Sequence, residues 1–258
     1  MAKNLIEIEA VGFSCKQKED VCFVNFNQNA GEIATRIDVR DQFLSTLEKI
    51  DSSEKIKGLV IANSPTYKGD TDLKNMMSYF SKVFRSTVED RAVNRFKNAT
   101  LQLVNILVNF TKPTIVAMNG DIGQMLFGLS LACDFRFATS NTIFHLPNVK
   151  LGLPITGILA YYLIQFIGHQ RSIDLLLTKT SLSAPEAKDL GLITGVTTDE
   201  ELMNHCMEKL NVIKQYPSYG ISAVKRILQP DASDVTNFID KAFDEFIKYL
   251  FRLKKREL

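Results

Sequence analysis

"KPTIVAMNGDIGQMLFGLSLACDFRFATSN", Lys112 to Asn141, carries the clearest succession of structural signals in the chain. KPTIVAMNG is an apolar run that stops at Asn119-Gly120, a dipeptide that favours a turn. QMLFGLSLA follows with almost no polar face, which is the pattern of a buried helix. DFRFATSN then reads as a second strand. Strand, helix and strand at this spacing call for a right-handed parallel crossover, so the chain is α/β.

The pattern extends upstream. LIEIEAV and VCFVNFN alternate like strands, and ATRIDVRDQFLSTLEKIDSS carries Val39, Phe43, Leu47 and Ile50 at helical spacing. IKGLVIAN is continuously apolar, as a strand covered on both faces is. The turn-rich NSPTYKGDTD enters a helix at Leu73, and a longer helix runs from Val88 to Phe110. From Gly157 onward the pattern is helical apart from a short LITGV. The expected division is a core over residues 1–197 and a helical segment over 198–258 that serves oligomerisation. In its last helix Phe238, Ala242, Phe246, Tyr249 and Leu250 form a face too apolar for water, so it must dock on its own or a neighbouring subunit.

Composition excludes several classes of function. A chain of 258 residues, 45% hydrophobic, can bury a sizeable core. A formal charge of +2 gives no electrostatic reason to expect nucleic acid or acidic membranes. The start MAKNLIEIEAVGF lacks the apolar core of a signal peptide, and no run is long enough to span a bilayer. Cys15, Cys22, Cys133 and Cys206 have no CxxC spacing and fit reduced thiols in a cytoplasmic protein. His145, His169 and His205 are scattered, so no metal site is expected.

KPTIVAMNG, LSLACDFRFATSNTIFHLPNVKLGL and LLLTKTSLSAPEAKDLGLITGV, in this order and spacing, resemble the crotonase (enoyl-CoA hydratase/isomerase) superfamily over roughly residues 5 to 228. The resemblance implies a crotonase-like spiral of repeated ββα units with a helical C-terminal segment, assembled as a homotrimer or hexamer. It also implies an acyl thioester substrate, on coenzyme A or an acyl carrier, and no cofactor besides coenzyme A as part of that substrate. In such enzymes two backbone N–H groups stabilise an enolate oxygen. Here those positions are Thr71, with Asp70, Asp72 and Leu73 lining the substrate beside it, and Met125. The two glutamates that would perform acid–base chemistry correspond to Gly128, which has no side chain, and Asn148, which can hold a water but not take its proton.

Other residues near these motifs are open to two readings. Asp121 and Gln124 can face the cleft, or Asp121 can cap the helix. His145 sits close to the second glutamate position, as a substrate contact or as a structural histidine. Tyr67 and Lys68 can reach a substrate carboxylate or simply be exposed, Thr156 is too weak a base to replace an aspartate, and Cys133 reads as a core thiol. Three functions are compatible with this pattern: an enoyl or 3-hydroxyacyl thioester enzyme with a rearranged acid–base set, a thioester decarboxylase, and a non-catalytic thioester-binding homologue.

Overall fold

A computed structural model of the chain describes residues 6–69, 78, 89–146 and 158–254. The helix expected at Leu73 lies outside them. Among the described residues, seven strands form the main sheet: β1 (Glu7–Glu9), β2 (Phe13–Lys18), β3 (Val21–Phe26), β4 (Gly58–Asn63), β5 (Thr114–Met118), β7 (Phe135–Thr139) and β10 (Gly195–Thr197), adjacent in that order. β1, β2 and β3 pair antiparallel, and every pairing from β3 to β10 is parallel. A second sheet stands beside it, built from β6 (Asp121–Ile122), β8 (Ile143–His145) and β9 (Ser181–Ser183).

The helices complete the spiral: α1 (Glu32–Thr35), α2 (Ile37–Ser52), α3 (Glu89–Val108), α4 (Gln124–Leu131), α5 (Ile158–Thr178), α6 (Ala184–Asp189), α7 (Leu202–Ile213), α8 (Ser218–Leu228) and α9 (Ala232–Lys254). β5–β6–α4 and β7–β8–α5 are successive turns of strand, short strand and helix, and β6 lies parallel to β8. This is the α/β spiral of ββα units expected from the sequence. At Gly168 the backbone turns to φ +76°, which glycine adopts without strain, and α5 kinks there.

Alternate residues explain the unbroken apolar run of β4. Leu59 and Ile61 enter the large core with Val116 and Met118 of β5, Val39, Phe43, Leu47 and Ile50 of α2, and the helices beyond. Val60 and Ala62 point the other way, with Ile115, Ala117 and Phe137, onto Leu202, Cys206 and Leu210 of α7. Both faces of the sheet are therefore dry, as parallel strands require. α7 approaches so closely that a Cβ on Gly58 would lie 2.5 Å from Leu210 Cδ1.

The last helix docks on its own chain, against α3 and α5. Its buried stripe is Val235, Ile239, Phe243 and Phe246, rotated from the expected face; Phe238 and Tyr249 pack at its edge and Ala242 is only half-buried. Phe243 stacks tilted on Phe96 at 5.8 Å, and Phe238 meets Tyr161 edge-on at 5.6 Å. Each fully buried side chain of this size contributes about 1.5–3 kcal/mol, enough to hold the helix down. The exception in this region is α8, which has no buried residue.

Four strands escape the pattern of the sequence, the short β6 and β8 together with β2 and β9. β2 alternates Phe13, Cys15 and Gln17 inward, and the buried amide of Gln17 disguises the period. That amide bonds Glu19 O at 2.8 Å, in a tight turn where Glu19 itself takes φ +52°. β9 is three residues within a segment that otherwise reads as helix. The four cysteines are buried and none is in a disulfide. No described helix is long and apolar enough to cross a membrane.

Candidate active site

The parallel strands β4, β5 and β7 end together, and side chains lock those ends. Asn63 Nδ2 donates to Asn119 O at 2.8 Å, while Asn119 N donates to Asn63 Oδ1 at 3.0 Å. Thr139 Oγ1 donates to Asn119 Oδ1 at 3.0 Å, bringing the end of β7 into the same knot. Gly120, at φ +74°, then turns the chain into β6 and α4. Carboxyl ends of parallel strands are where open α/β sheets bind ligands.

Two backbone segments meet directly at this edge. After β4 the chain turns through Ser64–Tyr67, closed by Tyr67 N donating to Ser64 O at 3.0 Å, and reaches Gly69. A Cβ on Gly69 would stand 2.4 Å from Gly123 N, and one on Gly123 would stand 3.1 Å from Gly69 O and from Tyr67 Oη. Only two glycines permit that approach. Tyr67 is therefore a buried wall behind the contact, 4% exposed, and not a surface residue; Lys68 beside it is exposed.

Gly123 opens α4. Its backbone is extended, no side chain caps the helix, and the first bond from inside the helix is Phe127 N to Gly123 O at 3.0 Å. The N–H groups of Gln124 and Met125 precede that bond, so they are among the donors that every helix start leaves unpaired, at the positive end of the dipole. Both residues are half-buried, and the Met125 side chain packs against the core. Asp121 does not cap this helix. It sits on an exposed strand position, and its Oδ1 lies 3.2 Å from His145 Nε2.

That pairing follows from the second sheet. β6 and β8 run parallel with Asp121 opposite Ile143, which sets His145 two residues along on the same side. Phe127 of α4 stacks on Phe144 of β8 at 4.4 Å and ties the histidine's strand to the helix. Asp121 and His145 remain partly open, their side chains 54% and 30% exposed. Sequence reasoning named both residues but could not join them, because 24 positions separate them.

Gly128 is occupied in another sense. It is buried on the side of α4 that meets α5, and a Cβ there would fall 2.6 Å from Ile158 Cγ2 and 3.2 Å from Leu159 N. A glutamate has no room in this packing. Cys133 is buried, its thiol 3.7 Å from Leu129 O, and burial pushes its pKa up to about 12, as a core thiol and not a nucleophile. Among the described residues no group of histidine, cysteine and carboxylate side chains could hold a metal ion. Asp70, Thr71, Asp72, Leu73, Asn148 and Thr156 lie outside the described residues.

The enoyl-CoA hydratase/isomerase family profile matches residues 16–252, and the chain belongs to that family. One similar protein is 4-chlorobenzoyl coenzyme A dehalogenase-2 of Arthrobacter, 22% identical over 222 residues, or 86% of this chain and 79% of the relative. A probable enoyl-CoA hydratase of Mycobacterium tuberculosis is 33% identical over 128 residues, 49% of this chain and 45% of its own length. The fold matches the crystal structure of an enoyl-CoA hydratase from Bacillus halodurans with a TM-score of 0.78, covering 93% of this chain and 95% of that one at 18% identity.

Proposed function

We propose that this protein binds an acyl thioester of coenzyme A and holds the enolate form of its carbonyl oxygen between the N–H of Met125 and that of Thr71. The observation that carries the reading is the contact of Gly69 with Gly123. It sets the loop that leads to Thr71 against the uncapped start of α4. Charge developing on the thioester oxygen would meet the N–H of Met125 and the positive end of the helix dipole at the uncapped start of α4. The names of the relatives, an enoyl-CoA hydratase and a coenzyme A thioester dehalogenase, support the substrate class.

Acid–base work then falls to the Asp121–His145 pair, with the carboxylate orienting the imidazole, and Asn148 positions a water or the substrate. A second reading draws on the packing at Gly128. Where Ile158 excludes a carboxylate, reactions that form the enolate by losing carbon dioxide are favoured, because they need the oxyanion donors but no strong base. A non-catalytic thioester-binding role requires the same donors. We also assign segment 198–258 a part in self-association, as a homotrimer or hexamer. Tyr219 and Ile227, each 79% exposed on one side of α8, support this.

The test replaces the donor without disturbing the helix. Met125→Pro removes the N–H in the first turn, where proline is tolerated, and Met125→Gly keeps it while clearing the side chain. Binding and turnover of crotonyl-, 3-hydroxybutyryl- and malonyl-coenzyme A are measured for each variant. The proline variant should lose about 10²–10³-fold in turnover of whichever thioester reacts, and the glycine variant should retain or exceed wild-type activity. A proline variant as active as the wild type would remove Met125 from the site.

A further inference from the structure

A cavity of about 640 Å³ lies at the opposite end of the sheet from that edge, between the end of α4, the start of β7, the first half of α5 and the inner side of α8. Its size is that of small-molecule pockets, which span about 300–1,000 Å³. Leu131, Tyr162, Phe166, Ile221, Val224 and Leu228 are among the residues of its wall. The wall also carries one buried cation, Arg136, only 6% exposed.

The hydrogen bonds of Arg136 are incomplete. Nε donates to Leu192 O at 2.9 Å, and Nη1 donates to Ser130 O at 3.1 Å and Cys133 O at 2.6 Å. Nη2 makes no hydrogen bond among the described residues, and no carboxylate pairs with the guanidinium, which lies 5.0 Å from the Phe166 ring centre. The nearby acid, Asp134, is already held by Lys225 Nζ at 2.7 Å and by Thr114 N and Oγ1 at 2.8 and 2.9 Å. Lys225, Asp134 and Arg136 together leave one positive charge on a cavity whose remaining wall is mainly apolar, with Tyr162, Gln165 and Gln229 as its other polar residues. Buried charges are ordinarily paired, and a planar guanidinium is matched to a carboxylate.

We propose that this cavity binds a monocarboxylate with an apolar tail, its carboxylate on Arg136 Nη2 and its tail along α8 and α5. The site is separate from the thioester cleft and does not depend on the function proposed for it. α8 is suited to forming its wall. It is tethered by Lys225, which bonds Asp134 and also Lys112 O at 2.7 Å, while Ile221, Val224 and Leu228 face the cavity and Tyr219 and Ile227 do not line it.

The experiment titrates the full-length protein with decanoate and with decanol by calorimetry, for the wild type, Arg136→Gln and Val224→Trp. Decanoate should bind at least about tenfold more tightly than decanol, the margin of one charge-assisted hydrogen bond. Arg136→Gln should erase that preference; because Arg136 also ties three carbonyls, that variant alone could fail by misfolding. Val224→Trp, on an exposed helix position, should block both ligands while keeping the wild-type melting temperature and thioester binding. Equal affinity for the two ligands, or undiminished decanoate binding by Val224→Trp, would overturn the proposal. So would decanoate that competes only with the thioester, or a cavity closed by a second copy, seen as dissociation of an oligomer by Val224→Trp without decanoate binding.

Discussion

Replacing Gly128 with alanine tests the packing that separates this site from a two-glutamate design. The new Cβ would lie 2.6 Å from Ile158 Cγ2, 3.2 Å from Leu159 N and 3.4 Å from Leu159 Cβ. Two effects oppose each other. Alanine in a helix interior is favoured over glycine by about 1 kcal/mol. Overpacking a filled core costs about 1–3 kcal/mol. Carbon atoms rest at about 3.5–4.0 Å, and Cγ2 sits on a stiff β-branched side chain that cannot swing aside. Overpacking therefore outweighs the helix gain, and Gly128→Ala should destabilise the protein by up to about 2 kcal/mol, lowering the melting temperature by up to about 8 °C for a chain of this size. Urea titration of the two single variants and the double variant gives the coupling. Ile158→Ala alone should cost about 2–5 kcal/mol. In that background Gly128→Ala should be neutral or stabilising by up to about 1 kcal/mol, because Cγ2 is gone. A Gly128→Ala variant more stable than the wild type would refute the close approach of α4 and α5, and with it the claim that a glutamate has no room there.

Two further outcomes follow from the electrostatics. Glu186 closes a capping box at the start of α6, accepting from Ser183 N at 2.9 Å, and its pKa is held down to about 2, first by Lys179 and then by Ser183. A depressed folded pKa gives stability that is present above the ordinary value of 4.5 and is lost as pH falls toward about 2. Melting curves should therefore show the wild type above Glu186→Gln at neutral pH and level with it at the acid limit; a constant gap would exclude the linkage, and the exposed position keeps the gap small. For the thiols, burial pushes Cys133 and Cys206 up to about 12, and Cys15 and Cys22 are 1% and 0% exposed. A thiol reagent at about pH 8 should label none of them until denaturant is added, and a fast native-state phase would reveal an opening that the fold does not show.

Much of this protein was legible from one sequence. The strand–helix–strand of Lys112–Asn141, the helix of Val39, Phe43, Leu47 and Ile50, and the doubly covered β4 are long periodic elements, and burial of their apolar faces follows from local spacing. Family membership was legible too, because linked motifs in fixed order survive where single site residues do not. The hairpin at Glu19 and the short β9 were not, since a buried amide and three-residue strands leave no period to read.

The site divides in the same way. That Gly128 and Asn148 lack carboxylates is a statement about residue types, and the sequence alone makes it. Tertiary structure alone decided that Gly128 is filled by Ile158, that Asp121 turns from the helix cap to His145, and that Gly69 and Gly123 touch backbone to backbone. It also decided that Arg136 faces a cavity with one nitrogen unbonded. Each of these depends on which atoms share a few cubic ångströms. Residues 24 to 54 positions apart come within contact distance only when β6 pairs with β8, the β4 loop folds onto α4, and α5 packs on α4. Periodicity carries the average burial of a face, whereas such contacts depend on the register and closeness of particular elements, which no local spacing encodes.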